Sequence, residues 1–228
     1  MKGPALAVMA RAPVPGRVKT RLQPDLTPEQ CATLSLAFLR DAVSLAGETP
    51  SYTAFVAYTP GNAGKLFREI TPQGMRLLPQ TSGGLGRRMY QLMVTLETQG
   101  YSPVVLTGTD IPSLQPETLV MAIRELEHAE VCLGPSRDGG YYLIGMNRSD
   151  ERIFQNIEWS TPGVLDQTIS NINDAGLSLS LLGTYCDIDT IADLRNLNAD
   201  IDRLRFNPGA RVPRHTALWL TQNRDLFR

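Results

Sequence analysis

The sequence reads as a three-layer α/β/α domain built on a mostly parallel sheet with an antiparallel insertion. Three observations carry that reading. Short apolar runs of strand length recur along the chain, amphipathic stretches separate them, and the rhythm changes after Gly134, where Tyr141–Met146 follows a Gly139–Gly140 turn. Parallel strands need crossovers long enough to hold a helix, and open sheets of this kind take ligands at the carboxyl ends of their strands.

The first strand is expected at residues 4–10, PALAVMA, after which Pro13, Pro15 and Gly16 force an irregular loop. Thr27, Pro28 and Gln30 supply an N-cap, a first-turn proline and a capping-box partner, so a helix is expected over Pro28–Ala46, with Leu34, Phe38 and Leu45 on its apolar stripe. Strands follow at Thr53–Thr59, Met75–Pro79, Pro103–Gly108 and Val131–Gly134, and helices near Asn62–Ile70, Arg87–Thr98 and Pro116–Ala129. A strand at Leu177–Leu182 and a helix from Thr190 to Leu204 complete a single domain over residues 1–205. Residues 206–228, rich in Arg and Pro, are expected as a tail packed on the surface.

The 228 residues are 42% hydrophobic and 20% charged, ordinary globular usage for one sizeable core. A formal net charge of −1 provides no global field to attract nucleic acid or an anionic membrane, so any anion site must be local. No apolar run reaches the ~18 residues that span a bilayer, and Met1–Ala10 runs into Arg11 without a signal-peptide pattern, which points to the cytoplasm. The three cysteines, Cys31, Cys132 and Cys186, are isolated and odd in number; each is expected as a small core residue. The oligomeric state is not set, and a homo-oligomer stays open.

Three segments at strand ends carry residue types suited to phosphate or metal. In Ala10–Leu22, Arg11, Arg17, Lys19 and Arg21 place four cations within eleven residues of a Pro/Gly-shaped loop. Like charges this crowded call for anions, and such a loop aims basic groups and backbone N–H at phosphate oxygens. A solvated basic loop is the plain alternative. Since a loop lysine contributes little packing, replacing Lys19 is expected to spare the fold. In Val104–Leu114, Asp110 stands directly after an apolar strand, where a carboxylate can hold a hard cation or simply cap the turn. In Tyr185–Leu194, Asp187 and Asp189 alternate along an extended stretch and so face the same way, which favours a cation between them; Asp189–Thr190 as a helix cap is the alternative.

Two glycine-rich segments add to these. Gly83, Gly84 and Gly86 precede a helix with Arg87 and Arg88 in its first turn, which suits close approach of a ligand or a plain turn. Gly134–Gly145 joins Arg137, Asp138 and the Gly139–Gly140 pair to two tyrosines in an expected hairpin that suits an acceptor pocket. With only His128, placed in a helix, and His215, placed in the tail, both expected at the surface, there is little material for a histidine triad or zinc site. Neither a G-x-x-x-x-G-K-[ST] loop nor a Rossmann fingerprint after the first strand is present.

The strings PGRVKTRL (15–22), GGLGRRM (83–89), GTDIPSL (108–114), GPSRDGGYYLIG (134–145), WST (159–161) and DIDTIADL (187–194) resemble, in that order, the nucleotide-diphospho-sugar transferase (GT-A-like) superfamily. The resemblance is to its small bacterial glycosyltransferase-like branch, which is similar to phospholactate guanylyltransferase and the molybdenum-cofactor nucleotidyltransferases. It implies a catalytic set of Lys19, Asp110 and Asp189. It implies nucleotide binding by Arg11, Arg17, Lys19, Arg21, Gly83, Gly84 and Thr109, and a Mg²⁺ or Mn²⁺ ion on Asp110 and Asp189 with help from Asp187. Asp138, Gly139, Gly140, Trp159, Ser160 and Thr161 would border the acceptor. The first loop differs from the usual G-G-x-S-x-R-M turn, reading Arg11-Ala12-Pro13-Val14-Pro15. The implied activity is metal-assisted nucleotidyl transfer from a nucleoside triphosphate to a small phosphorylated acceptor. Glycosyl transfer from a nucleotide-sugar and a non-catalytic nucleotide-binding module are the alternatives.

Overall fold

The computed structural model describes residues 2–227; Met1 and Arg228, at the outer ends of the expected domain and tail, lie outside the described residues. The chain alternates strands and helices in the order β1 (Ala5–Arg11), α1 (Pro28–Gly47), β2 (Thr53–Thr59), α2 (Gly64–Ile70), β3 (Arg76–Pro79), α3 (Leu85–Thr98), β4 (Val104–Thr107) and α4 (Pro116–Glu125). There follow β5 (Val131–Pro135), β6 (Tyr141–Met146), α5 (Val164–Asp174), β7 (Leu179–Leu181), α6 (Ile191–Arg205) and α7 (Arg214–Gln222).

The strands form a seven-stranded sheet in the order β3-β2-β1-β4-β6-β5-β7. Every neighbouring pair is parallel except those of β6, which runs antiparallel to both β4 and β5. The antiparallel insertion expected after Gly134 therefore sits inside the sheet, made by the tight 136–140 turn. Alternation along β1 sends Ala5 and Ala7 to the face covered by α3 and α5, and Leu6 and Val8 to the face covered by α1 and α4. Register aligns Arg11 with Thr59 and Tyr58 with Pro79, while Val8 stands beside Thr107, so the carboxyl ends of β1 to β4 share one edge.

The capping box read at Thr27 is present: Gln30 N donates to Thr27 Oγ1 at 3.2 Å and Thr27 N donates to Gln30 Oε1 at 2.8 Å. Other expectations need correction. Helix α4 stops at Glu125, leaving exposed His128 in the turn beyond, and the last strand shrinks to Leu179–Leu181. Cys31 and Cys132 are buried, but Cys186 is exposed beside the turn into α6. Helix α5, whose Val164, Thr168 and Ile172 are buried and whose Leu165 and Ile169 pack against the same core, was not expected, because Pro162–Gly163 marks a loop at its start. Among the described residues no helix is long and apolar enough to cross a membrane.

Helix α7 was not expected either, since its cap is supplied from far away. The carboxylate of Asp41 on α1, only 1% exposed, accepts from His215 N (3.0 Å), Thr216 N (2.8 Å) and Thr216 Oγ1 (2.6 Å). Trp219 and Leu220 then bury against α1 and α6. Leaving these donors unpaired in an apolar setting costs the desolvation of each. Asp41→Ala is predicted to lower unfolding free energy by about 2–4 kcal/mol in urea titration, against under about 0.5 kcal/mol if the cap were incidental.

Candidate active site

At the shared strand edge lies a cavity of about 900 Å³. Its lining includes Arg11, Arg17 and Arg21 from the loop after β1, and Thr109, Asp110, Asp187 and Asp189 from the segments after β4 and before α6. Asp138, Gly140 and the Trp159–Ser160–Thr161 stretch line it as well. The fold thus gathers into one concavity most of the residues singled out in the sequence, from segments more than a hundred positions apart.

Lys19 is placed differently from the expectation of a phosphate-facing loop lysine. Its backbone turns into the left-handed region, φ 47°, and sends the side chain inward beneath the carboxylates. Nζ lies 2.6 Å from Asp110 Oδ1 and 3.3 Å from Asp189 Oδ1, donates to Ile188 O at 2.7 Å, and sits 5.5 Å from the centre of the Phe38 ring. An ammonium has three protons, and three oxygens take them. The side chain is 6% exposed, while Asp110 is 51% and Asp189 30% exposed. Burial alone would lower the pKa of this lysine, but Asp110 and Asp189 outweigh it and hold the ammonium above its usual range. Lys19 is not on the cavity surface; its charge is spent on the two acids.

Local structure explains why Asp189 is free for this role. Thr190 is the N-cap of α6, with Thr190 Oγ1 accepting from Asp193 N at 3.2 Å and Asp193 Oδ2 accepting from Thr190 N at 2.8 Å. The cap is complete without Asp189, whose Oδ2 instead accepts from Arg21 Nη1 at 2.7 Å. Ile188 is buried between the two acids, and its N donates to Asp110 O at 3.2 Å, stitching the two carboxylate-bearing segments together. Asp187 is pushed up to about 7, first by burial and then by Asp110 and Asp138, with Lys19 opposing and Asp189 adding a smaller push. Among the described residues no three His, Cys, Asp or Glu side chains are gathered as a ready metal cage.

Asp138, near Asp187, accepts from Ser136 Oγ and, at 3.1 Å, from Gly140 N. Gly139 turns with φ +87°, and a Cβ there would fall 2.0 Å from Pro162 O, so only glycine lets this turn dock on the 161–163 segment. Gly139 itself lies behind the cavity surface. Trp159 meets Tyr141 edge-on at 6.4 Å and presses on Gly86, where a Cβ would lie 2.7 Å from the indole. That contact fixes the start of α3; Gly83 and Gly84 are exposed just ahead of it and do not line the cavity, whereas Leu85 does.

Gln80 was not singled out in the sequence and Arg88 was named there only as a first-turn residue after the glycines, yet both line the cavity. Gln80 Nε2 donates to Ala57 O at 2.7 Å and Ala10 O at 3.3 Å, and Gln80 Oε1 accepts from Arg88 Nη1 at 2.9 Å. Burial, and secondarily Arg11, lower the pKa of the Arg88 guanidinium. The available signal was positional: Gln80 follows β3 directly, at the edge where ligands bind.

A mostly parallel sheet with an inserted antiparallel strand, and acids and arginines meeting over its carboxyl edge, define a protein of the nucleotide-diphospho-sugar transferase class. Residues 41–161 match the profile of DUF2064, described as uncharacterized proteins conserved in bacteria, and the chain belongs to that family. A candidate nucleotide-diphospho-sugar transferase from Desulfovibrio desulfuricans G20 is similar throughout, with TM-score 0.88 and 30% identity over 99% of this chain and 96% of that one. A cytidylyltransferase from Leptospira borgpetersenii shares the fold at TM-score 0.56 and 14% identity, covering 100% and 97% of the two chains. A phosphoenolpyruvate guanylyltransferase from Geodermatophilus obscurus is 32% identical over 127 residues. That likeness spans 53% of this chain and 57% of the relative, little more than half its length.

The position of Lys19, held by Asp110, Asp189 and Ile188 O, argues against the expectation that its replacement spares the fold. Lys19→Met leaves Asp110 and Asp189 facing each other over an apolar floor. A fully buried pair broken in this way loses about 3–5 kcal/mol, and solvent at the half-exposed acids reduces that to about 2 kcal/mol. Equilibrium urea unfolding should show that loss; a change below about 0.5 kcal/mol would mean the ammonium is dispensable to the fold.

Proposed function

We propose that the chain is a metal-assisted nucleotidyltransferase acting on a nucleoside triphosphate and a small phosphorylated acid. The observation that carries the reading is a single cavity lined by both Arg11, Arg17 and Arg21 and by Asp110, Asp187 and Asp189. An acceptor phosphate oxygen attacks the α-phosphorus, a new P–O bond forms, and the bond to the bridging oxygen breaks to release pyrophosphate. The partial likeness to a phosphoenolpyruvate guanylyltransferase supports guanosine triphosphate as the nucleotide and a phosphoenolpyruvate-like acceptor.

In this reading Arg11 and Arg17, with Arg21 held beside Asp189, bind the triphosphate together with Thr109 just beyond β4, while Gly83 and Gly84 stand outside the cavity lining ahead of α3. Lys19 is a positioning residue: by holding Asp110 and Asp189 on one ammonium it keeps both acids turned to the cavity. A divalent cation fits this donor set. All donors are oxygens, Asp187 is crowded by negative neighbours, and Mg²⁺ needs only one or two protein carboxylates, the rest of its shell coming from water and phosphates. Asp110 and Asp189 would hold it, with Asp187 assisting, and it would supply charge neutralisation on the phosphates. Asp138, the Gly139–Gly140 turn and Trp159–Thr161 would shape the acceptor end. Catalysis then rests on positioning and electrostatics, without a covalent protein intermediate.

A second reading, glycosyl transfer from a nucleotide-sugar, is favoured by the full-length likeness to the candidate nucleotide-diphospho-sugar transferase. One assay separates the two. With α-phosphate-labelled guanosine triphosphate, Mg²⁺ and phosphoenolpyruvate, nucleotidyl transfer puts label on the acceptor and releases one pyrophosphate per product. Asp110→Asn and Asp189→Asn should each reduce turnover by about 10²-fold or more, and the double variant should be little worse than either, as for residues acting as one unit. Labelled nucleoside diphosphate arising only from nucleotide-sugars would establish the second reading instead.

A further inference from the structure

We propose that the C-terminal segment Arg211–Leu220 is a brace that positions the Asp110-bearing loop, with Gln115 and Arg211 as its clasp. Gln115 closes the loop that begins at Asp110, and its side chain does not cap α4. Instead it pairs with the backbone of a residue 96 positions away: Arg211 N donates to Gln115 Oε1 at 2.8 Å and Gln115 Nε2 donates to Arg211 O at 3.1 Å. The same amide nitrogen donates to Ser113 O at 2.7 Å, so one side chain fixes both the loop and the segment.

Arg211 carries the connection on to α1. Its Nη2 donates to Asp41 O at 2.9 Å and its Nε to Glu48 Oε2 at 2.8 Å, with the arginine side chain 12% exposed. Asp41 in turn caps α7, and Trp219 Nε1 donates to Thr33 Oγ1 at 2.9 Å. Trp219 and Leu220 share one apolar cluster with Ile188, which lies between Asp187 and Asp189, and with Phe38, the ring beneath the Lys19 ammonium. A single C-terminal element is therefore linked to all three parts of the Lys19–Asp110–Asp189 arrangement: to the Asp110 loop directly through Gln115, and to the Asp189 segment and the floor under Lys19 through the apolar cluster it shares with Ile188 and Phe38. A surface tail with only a packing role would not need a side-chain amide matched to both polar groups of one backbone residue.

The brace holds whatever the chain transfers; its consequence for metal and nucleotide rests on the reading above. The test uses the full chain and two variants, Gln115→Leu, which opens the clasp at the loop, and Arg211→Ala, which frees it from α1. Hydrogen exchange by mass spectrometry should show residues 108–115 exchanging at least tenfold faster in both, with β1 and α3 within twofold of the parent. Titration with guanosine triphosphate should show metal-free affinity within twofold of the parent and at least a fivefold loss of the tightening that Mg²⁺ adds. Unchanged exchange over 108–115, or an even rise across the sheet as from plain destabilisation, would overturn the brace. A parent protein whose affinity is indifferent to Mg²⁺ would count against the functional reading, with the exchange result still deciding the brace.

Discussion

The ammonium of Lys19 is where the sheet, the C-terminal helices and the candidate site meet. It is the buried member of a chain with only three lysines, Lys2 and Lys65 being exposed. It bridges the loop after β1, the loop after β4 and the segment before α6, three pieces of chain that the sheet brings to one edge but does not itself bond together. A lysine suits this place because its compact charge distributes three donors over oxygens in different directions, where a planar guanidinium would favour a single carboxylate. Burying it costs desolvation that its partners roughly offset, so its contribution is one of registry. Asp110 and Asp189 are held side by side and turned outward, and Arg21 completes Asp189 from the solvent side.

That registry depends on two features of the fold. Antiparallel β6 is inserted beside β4, so the 136–140 turn comes back to the same edge as Asp110 and brings Asp138 into the same field as Asp187. The second is the separation of capping from chemistry ahead of α6, where Thr190 and Asp193 satisfy the helix and leave Asp187 and Asp189 for the cavity. The resulting cavity is lined by arginines and carboxylates together, an arrangement suited to a polyanion bound together with a cation.

Much of this was legible in the sequence because it is local. The Thr27 capping box, the strand at Thr53–Thr59 and the turn at Gly139–Gly140 each rest on neighbouring residues and period. The alternation of Asp187 and Asp189 around Ile188 likewise placed both acids on the cavity side. What escaped depends on distant partners. Helix α7 takes its cap from Asp41 on α1, Gln115 reads as an ordinary polar residue until Arg211 arrives from the far end of the chain, and Lys19 reads as a free loop cation until Asp110 and Asp189 fold over it. Gln80 escaped for a different reason: it is an unremarkable residue type whose only signal is its place directly after β3.

The most direct test of this account is the Lys19 ammonium itself, and the chain's three lysines make it accessible. In protein with ¹⁵N-labelled lysine side chains, the account predicts one protected ammonium resonance at neutral pH, because exposed ammonium protons exchange with water too fast to be seen. That resonance should vanish in Lys19→Met and shift or broaden in both Asp110→Asn and Asp189→Asn. Absence of any protected ammonium signal, or one indifferent to both aspartate substitutions, would contradict the claim that a buried lysine draws the two carboxylates into one site.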